Sequence, residues 1–508
     1  MRPGKRVNRA DTRRRYATVH ATAEVSAREP EAAVGLPRRA SSWTRVDAAL
    51  LACFGAAVAF CSLRLREGYC DDALIVLRYA HNLLDGHGWT YNFDTAVNAT
   101  TSPLHVLVVT ALGACLAGDL LLALPLAFLL PLMAAVVVAY GALRPHGRVP
   151  AAMAGLLLAV APRIYSTMGM ESTLFVACAL GACAMAARQR HLGAGLLAGA
   201  AVLARPDAGL LAGMLALVAL RCGWRHALRF TAAATAVVLP WIVFATMKFG
   251  SPLPNTMAIK LAQRRLFKDP PIFLNGAWRE LAKVDERAIG VGPHVVLALF
   301  VIAGAVLAWR ARQHVAIALF TTFAALQFAA YAWLDLPPYH WYYAPALCAG
   351  ALAIAVLFAA AWQTQRPLPM LAGLLVATTF VATTMPDLIA PETSRQHYRD
   401  AAAWLAQNTP IDASIATGDI GIVGFHTLPR TIIDIQGLAT PDAADAIARG
   451  DTGWWFDRYR PDYVLVHDAP WADFEAPVLE RADFRAAYRL VEGTRLEGLA
   501  IWARIGTR

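Results

Sequence analysis

Two adjacent carboxylates, Asp71 and Asp72, stand just beyond the end of the first apolar run, where charge is costly unless it is solvated or used. They open the segment Gly68-Tyr-Cys-Asp71-Asp72-Ala-Leu-Ile-Val-Leu-Arg78-Tyr79-Ala-His81-Asn82-Leu-Leu-Asp85-Gly86-His87-Gly88, a helix-like run with a glycine-rich stop. A carboxylate that is ionised and within hydrogen-bond reach of a hydroxyl can take its proton. Adjacent acids repel, so one member of the pair should have a raised pKa, which improves a base. Asp72 also stands where it can cap a helix beginning at Ala73, accepting N–H bonds that lower its own pKa. The base role therefore falls to Asp71 and the partner or capping role to Asp72. The plain alternative is a pair serving only as cap and solvated loop.

Further polar residues interrupt the apolar sequence. Glu171 follows a turn-forming glycine and precedes Ser172, where an apolar helix starts. It is either a second carboxylate facing the Asp pair or an acid placed there by the helix dipole. Asp71, Asp72 and Glu171 together could hold Mg²⁺ or Ca²⁺, though no spacing demands it. Arg205, with Pro206 and Asp207, breaks an apolar run at its outer end, where phosphate binding outweighs simple snorkelling. Lys260 offers a second phosphate contact, whereas Arg264 and Arg265 read as a solvated charge run. Asn255 either contacts substrate or caps a helix after Pro254. His340, among Tyr339, Trp341, Tyr342 and Tyr343, is either part of an interfacial aromatic belt or a substrate contact.

These residues need elements to hold them, and composition says what kind. The 508 residues are 57% hydrophobic and 16% charged, with mean hydropathy +0.45, which is integral-membrane chemistry. The net charge of +10 comes from short basic clusters between apolar runs. That is the positive-inside pattern, not a nucleic-acid footprint. Threading those clusters to the inside predicts eleven crossings: Val46–Leu65, Leu120–Leu143, Ala151–Pro162, Thr173–Ala187, Leu192–Ala204, Ala208–Leu220, Phe230–Met247, Val291–Ala308, His314–Leu334, Trp341–Trp362 and Leu368–Thr384. Leu104–Gly118 is short for a span and is expected to lie in the outer interface. The polar sequences named above then share the outer face, and the inner loops read as anchors.

The ends of the chain differ from its middle. Residues 1–45 hold eleven Lys or Arg against four acids without apolar period, a pattern expected of a disordered cytoplasmic tail. Residues 46–386 form the transmembrane module, with its main outer loop at 66–103. After Pro386 the charge density becomes ordinary, and 387–508 reads as a small α/β domain on the outer side. Its expected elements are a helix at Arg395–Gln407 and strands at Ser414–Thr417, Thr431–Ile435, Tyr463–His467 and Leu499–Ala503. The eight cysteines fall at no metal-ligand spacing.

The motifs together resemble a known family. Asp71-Asp72-Ala-Leu-Ile with Gly86-His-Gly88, Gly169-Met-Glu171, Leu203-Ala-Arg205-Pro206-Asp207, Leu253-Pro254-Asn255-Thr256 with Lys260, Tyr339-His340-Trp341-Tyr342-Tyr343, Gly418-Asp419-Ile-Gly421 and Asp434…Gly437-Leu follow the order seen in C-type membrane glycosyltransferases. The branch they are most similar to contains the terminal arabinofuranosyltransferases, with mannosyltransferase-like relatives. Three positions depart: Leu74 where the family usually has Phe, Asn98-Ala-Thr-Thr-Ser-Pro103 where it often has Glu-Gly-Tyr-Thr-Asn-Pro, and Asp207 where it prefers Glu. The resemblance implies a polyprenyl-phosphate sugar donor and a glycan, lipid or protein acceptor outside a bacterial cytoplasmic membrane. It also implies Asp71 and Asp72 as catalytic residues, with Glu171, Arg205, Asp207, Asn255, Lys260, His340 and Tyr342 as substrate contacts. A transporter with an ion site and a non-catalytic glycan-binding protein are the rival classes; against a transporter, no inverted repeat is visible.

Overall fold

The computed structural model describes Met1 and residues 42–508, apart from 66–67, 94, 162, 264–271, 289–292, 366, 368–369, 372, 376–377, 379–394, 442, 492–495 and 507–508. The expected tail therefore lies outside the described residues, as does most of the crossing expected at Leu368–Thr384. Among the described residues, five helical segments are long and apolar enough to cross a membrane: Arg45–Arg64, Leu120–His146, Trp224–Phe249, Val315–Leu334 and His340–Gln363. The last is the most enclosed, because Ala, Gly and Cys on Ala344–Gln363 admit neighbours on nearly every side.

Several expected crossings are shorter helices. Arg148–Ala159 has 12 residues, Ser172–Ala187 has 16, His191–Ala204 has 14, Gly209–Arg221 has 13 and Pro293–Trp309 has 17. Small residues let some of these pack tightly. On His191–Ala204, a Cβ at Gly195 would lie 2.2 Å from the Phe230 carbonyl oxygen and one at Gly199 2.8 Å from that of Ala234. This glycine pair four residues apart draws the helix backbone against Trp224–Phe249, as small residues do in membrane bundles. Remote from Asp71, buried Asp47 accepts from Tyr140 Oη at 2.6 Å and Arg144 Nε at 2.7 Å, so this end is more than a plain anchor.

The Asp-Asp segment forms the helix Asp71–Leu84, with the apolar helix Pro103–Cys115 (13 residues) packed beside it. The second of these is the segment expected to lie in the interface. Beyond it, the C-terminal sheet has the order β2-β1-β3-β5-β4, with β1 Ser414–Thr417, β2 Thr431–Asp434, β3 Tyr463–His467, β4 Tyr488–Leu490 and β5 Leu499–Arg504. β1 pairs in parallel with β2 and β3, while β5 runs antiparallel to β3 and β4. The four expected strands are present; the three-residue β4 is an addition.

The sheet domain is fastened to the Asp71–Leu84 helix by its buried arginine. Arg78 Nε donates to the Tyr91 carbonyl at 2.8 Å, and Nη2 donates to the Arg430 carbonyl at 2.7 Å and Asn92 Oδ1 at 3.1 Å. Its Nη1 donates to the Gly424 carbonyl. Asn92 occupies the β2 edge as a strand would, donating to the Ile432 carbonyl at 2.8 Å and accepting its N–H at 3.0 Å. Both open groups of that edge residue are thereby satisfied.

Candidate active site

Five separate segments converge at the start of the Asp71–Leu84 helix. The turn before Ser172–Ala187 presses against it through Gly169, whose φ of +81° favours glycine and whose added Cβ would lie 2.8 Å from that of Ala73. Two residues later Glu171, 6% exposed, stands with its carboxylate 3.9 Å from Arg205. Burial raises the Glu171 pKa and Arg205 pulls it back. Asp72 is among the charges acting on Glu171 and on Lys260, which places all three around one space.

Lys260, on the helix Asn255–Gln263, faces an aromatic wall. Its Nζ lies 4.6 Å from the Tyr339 ring centre, 5.8 Å from Trp341 and 6.0 Å from Tyr342, distances at which ring quadrupoles attract a cation. Burial alone would lower its pKa, but Tyr342, Tyr339, Asp72 and Glu171 outweigh it and raise the pKa, so the ammonium stays charged. The aromatic run forms the 3-10 turn His340–Tyr343, with Tyr339 stacked on Trp341 at 4.7 Å. Tyr342 stands between two cations, since its ring is also 5.2 Å from Arg205.

Arg205 is deeply engaged. Its Nε and Nη2 meet the two Asp207 oxygens at 3.1 and 3.2 Å. Nη2 also reaches Tyr331 Oη at 3.1 Å, and Nη1 donates to the Trp341 carbonyl at 3.3 Å. Asp207 accepts from Gln327 as well. The Arg-Pro-Asp spacing thus forms a local fork, in which Asp207, expected as a substrate contact, is the partner of Arg205. Lys260, by contrast, has among the described residues no hydrogen-bond acceptor on its ammonium, so it is the cation with capacity left for a ligand.

One expectation for a single residue changes, and two other residues have structural partners. Asp72 does not cap the helix: the cap position is Cys70, with no side-chain cap bond, and Asp71 already belongs to the first turn. Asn255 directs its amide to the carbonyls of Gly437, Leu438 and Thr440 at 3.0, 3.0 and 3.4 Å. It ties this helix to the sheet domain, and its own N–H donates to the Asn98 carbonyl at 2.8 Å. His340 Nε2 lies 2.9 Å from the Ser166 carbonyl, a structural partner.

Asp71 faces the sheet domain. Its carboxylate oxygens accept from Gly421 N at 2.8 Å and Ile422 N at 2.7 Å. A Cβ at Gly421 would fall 1.7 Å from the Asp71 carbonyl oxygen, so only glycine permits this approach. Burial, then the Asp419 carboxylate, push the Asp71 pKa above the ordinary carboxylate range, against the pull of the two amides. A carboxylate has about four lone-pair positions, so two amide bonds orient Asp71 and leave capacity for a hydroxyl.

The three acids named for a divalent ion do not converge on one point. Among the described residues no three His, Cys, Asp or Glu side chains are grouped for a metal. Asp71 turns to the sheet domain, while Lys260 already brings positive charge to Asp72 and Glu171, and Arg205 brings it to Glu171. A groove of about 650 Å³ lies at the other end of the same helix, lined by His81, Asp85, His87 and Phe425 among others, and contains none of these residues.

Comparison with known proteins completes the description. The family described as Domain of unknown function (DUF8728) matches residues 388–505, the sheet domain. The terminal beta-(1->2)-arabinofuranosyltransferase of Mycobacterium tuberculosis is 32% identical over 223 residues, covering 38% of this chain and 35% of the relative, so the match takes in about a third of that protein. ArnT from Cupriavidus metallidurans, solved bound to undecaprenyl phosphate, superposes with TM-score 0.58 at 14% identity, covering 92% of this chain and 99% of that one. Arabinofuranosyltransferase AftD from Mycobacteria gives TM-score 0.51 at 15% identity, covering 92% of this chain and 40% of that one. The chain therefore has the membrane fold of the C-type glycosyltransferases and is arabinofuranosyltransferase-like in sequence.

Proposed function

We propose that this protein transfers one sugar from a polyprenyl-phosphate donor to a glycan, lipid or protein acceptor on the outer face of a bacterial cytoplasmic membrane. The observation that carries the reading is the pairing of an oriented carboxylate, Asp71, with an uncommitted cation, Lys260, at one end of a bundle sharing its fold with a protein solved on undecaprenyl phosphate. Asp71 takes the proton of the acceptor hydroxyl as its oxygen attacks the anomeric carbon. The bond to the phosphate oxygen breaks on the far side, and the configuration inverts. Lys260 holds the charge that grows on the departing phosphate, as a point charge does well.

The remaining residues position these two. Asp72 and Glu171 keep Lys260 charged and offer acceptors to sugar hydroxyls. Arg205 and Asp207 brace Glu171 and the carbonyl of Trp341, and Tyr342 fills the space between the two cations. On this reading eleven spans cross the membrane, the residues before Val46 are cytoplasmic, and the sheet domain stands outside over the site.

The test is direct. Purified full-length protein is incubated with labelled polyprenyl-phosphate arabinofuranose and with hexose counterparts, and transfer to a glycan acceptor is followed. Transfer should fall by about 10²–10⁴ in Asp71→Asn, which keeps the shape but cannot take the proton. Asp72→Asn should be milder, with its loss mainly in donor KM. Folded protein that transfers none of these sugars would defeat the reading. Accessibility labelling of a cysteine at position 450 in intact cells checks the topology; protection from an impermeant reagent would invert it.

A further inference from the structure

The first observation is a crowding of like charges across the boundary between the bundle and the sheet domain. β1 passes through Gly418 to Asp419, the residue that begins the helix Ile420–His426. Asp71 takes the amides of Gly421 and Ile422 from that same helix start. Two carboxylates from distant parts of the chain thus gather at one helix start, and the Asp419 charge acts on Asp71. Side-by-side acids destabilise a fold, and a purely structural junction is served equally well by a neutral residue at 419.

A connected array lies behind Asp419. Tyr398 Oη lies 2.7 Å from His467 Nε2 and acts electrostatically on Asp419 beside it. His467 Nε2 is itself 3.9 Å from Asp419 Oδ2. On the other side of the ring, Nδ1 lies 2.9 Å from Glu475 Oε1. Glu475 is 1% exposed, and its second oxygen accepts from His467 N at 3.2 Å and Trp471 N at 2.9 Å. As an acceptor only, it fixes the proton on Nδ1 and leaves Nε2 toward Tyr398 and Asp419. Trp471 stacks on the imidazole at 4.3 Å and holds its plane. The charged and titratable groups facing the pair are Cys70, Asp72, Tyr91, Tyr398, His467, Glu475 and Arg395. His467 and Asp419 side chains remain 18% and 16% exposed, so the array ends in water.

We propose that the sheet domain supplies the proton path of the active site, with Asp419 receiving from Asp71 and passing onward through Tyr398 and His467. The O–H bond of the acceptor hydroxyl breaks and its proton forms the Asp71 carboxyl. The oxygen's electron pair forms the new glycosidic bond, while the electron pair of the broken bond leaves on phosphate. The proton then moves to Asp419, along the Tyr398 and His467 bonds, and to water, returning Asp71 to its ionised form. Asp419 and His467 are positioning residues acting through Asp71, and their assignment rests on the transferase reading above. Burial, with Glu475, raises the pKa of Asp419 against the pull of His467, Tyr398 and Arg395, and Glu475 and Asp419 raise that of His467 against its burial; both directions favour the protonated form.

The experiment is the pH dependence of transfer in the full chain, using the same arabinofuranose donor. In Asp419→Asn the acid limb of kcat/KM should move down by about one pH unit, because a neighbouring negative charge is gone. The kcat at neutral pH should fall about tenfold or more with donor KM unchanged, and Asp419→Glu should restore both. His467→Gln should lower kcat with a smaller shift of the limb. A wild-type profile in Asp419→Asn, or equal impairment in the Asn and Glu variants, would overturn the proposal and leave a structural junction. Full transfer by Asp71→Asn would sink the base assignment underneath; loss there with no Asp419 effect would sink the array alone.

Discussion

Replacing Lys260 and Arg205 in turn separates binding of the leaving group from support of the site. The two cations are neighbours through Tyr342, at 6.0 and 5.2 Å, yet they are engaged very differently. Lys260 meets three aromatic faces, which suit a cation held in reserve, whereas Arg205 is forked onto Asp207 and bonded to Tyr331 and Trp341. In Lys260→Gln the phosphate loses a charge-assisted hydrogen bond of about 1.5–3 kcal/mol, or about ten- to a hundred-fold in transfer. The lost ring contacts are worth about 0.5–1 kcal/mol each at exposed sites and about 2 when desolvated, and removal of a partly buried charge offsets them. Thermal stability should therefore change little. In Arg205→Gln, Asp207 and Glu171 remain as enclosed carboxylates without their counter-charge, a defect that costs about 3–5 kcal/mol. That variant should lose thermal stability before its donor binding can be measured, and Arg205→Lys should recover only part, since the planar fork is gone. Thermal unfolding of the purified variants with donor KM and kcat gives both readouts. A stable Arg205→Gln with weakened donor binding, beside a fully active Lys260→Gln, would reverse the assignment.

Three further outcomes follow from the geometry. The acid limb of kcat/KM should lie well above the ordinary aspartate value of about 4, because Asp71 must be ionised to act and burial with Asp419 raises its pKa; a limb near that ordinary value would refute the tuned base. The sign for stability is opposite: a folded pKa above the unfolded one stabilises at low pH and is lost as pH rises through the folded value, so wild type should lose stability relative to Asp71→Asn as pH increases. Arg78→Met should loosen the sheet domain, seen as faster proteolysis after residue 387 with the bundle intact, because four carbonyl or amide oxygens lose their shared donor; unchanged proteolysis would show that Tyr91, Asn92 and Asn255 suffice.

Sequence reading reached the parts of this molecule that depend on short-range pattern. Asp71 and Asp72 announced themselves as charges beside an apolar run, and the strands Thr431–Asp434 and Tyr463–His467 showed themselves by β-branched and aromatic residues. What it missed depends on pairing across hundreds of positions. Asp71 and Gly421 meet over 350 residues, and nothing near either one says so. Arg78 stood inside a motif already singled out, but its carbonyl acceptors at Tyr91, Gly424 and Arg430 lie mostly in a domain that apolar period does not connect to it. The Arg205–Asp207 fork was closer to legible. Its members are two residues apart with proline between them, so mutual engagement was the simpler expectation for two enclosed opposite charges. Helix length marks another boundary of pattern: Arg148–Ala159 and His191–Ala204 are apolar but short, and their place in the bundle is set by glycine-mediated contact with longer neighbours rather than by hydropathy.

The array around His467 shows why the domain after Pro386 resisted a functional reading from sequence. Taken alone, Tyr398, Asp419, His467 and Glu475 are ordinary surface-prone residues at irregular spacing, 21, 48 and 8 positions apart. Their chemistry appears only when β1, β3 and the helix Gln396–Asn408 bring them to one edge of the sheet and Gly421 lets that edge touch Asp71. The close approach is the discriminating feature, and Gly421→Ala tests it without altering any titratable group. A methyl group there must displace the Asp71 backbone, whose carbonyl oxygen would lie 1.7 Å from it. If the domain serves only as a cover, the variant should weaken donor and acceptor binding without changing the shape of the pH profile. If it carries the proton away, the acid limb should move toward the ordinary aspartate range, because Asp71 is parted from Asp419 and becomes better solvated. Transfer with a wild-type pH profile and normal kcat in Gly421→Ala would show that the nearness of the two carboxylates is incidental.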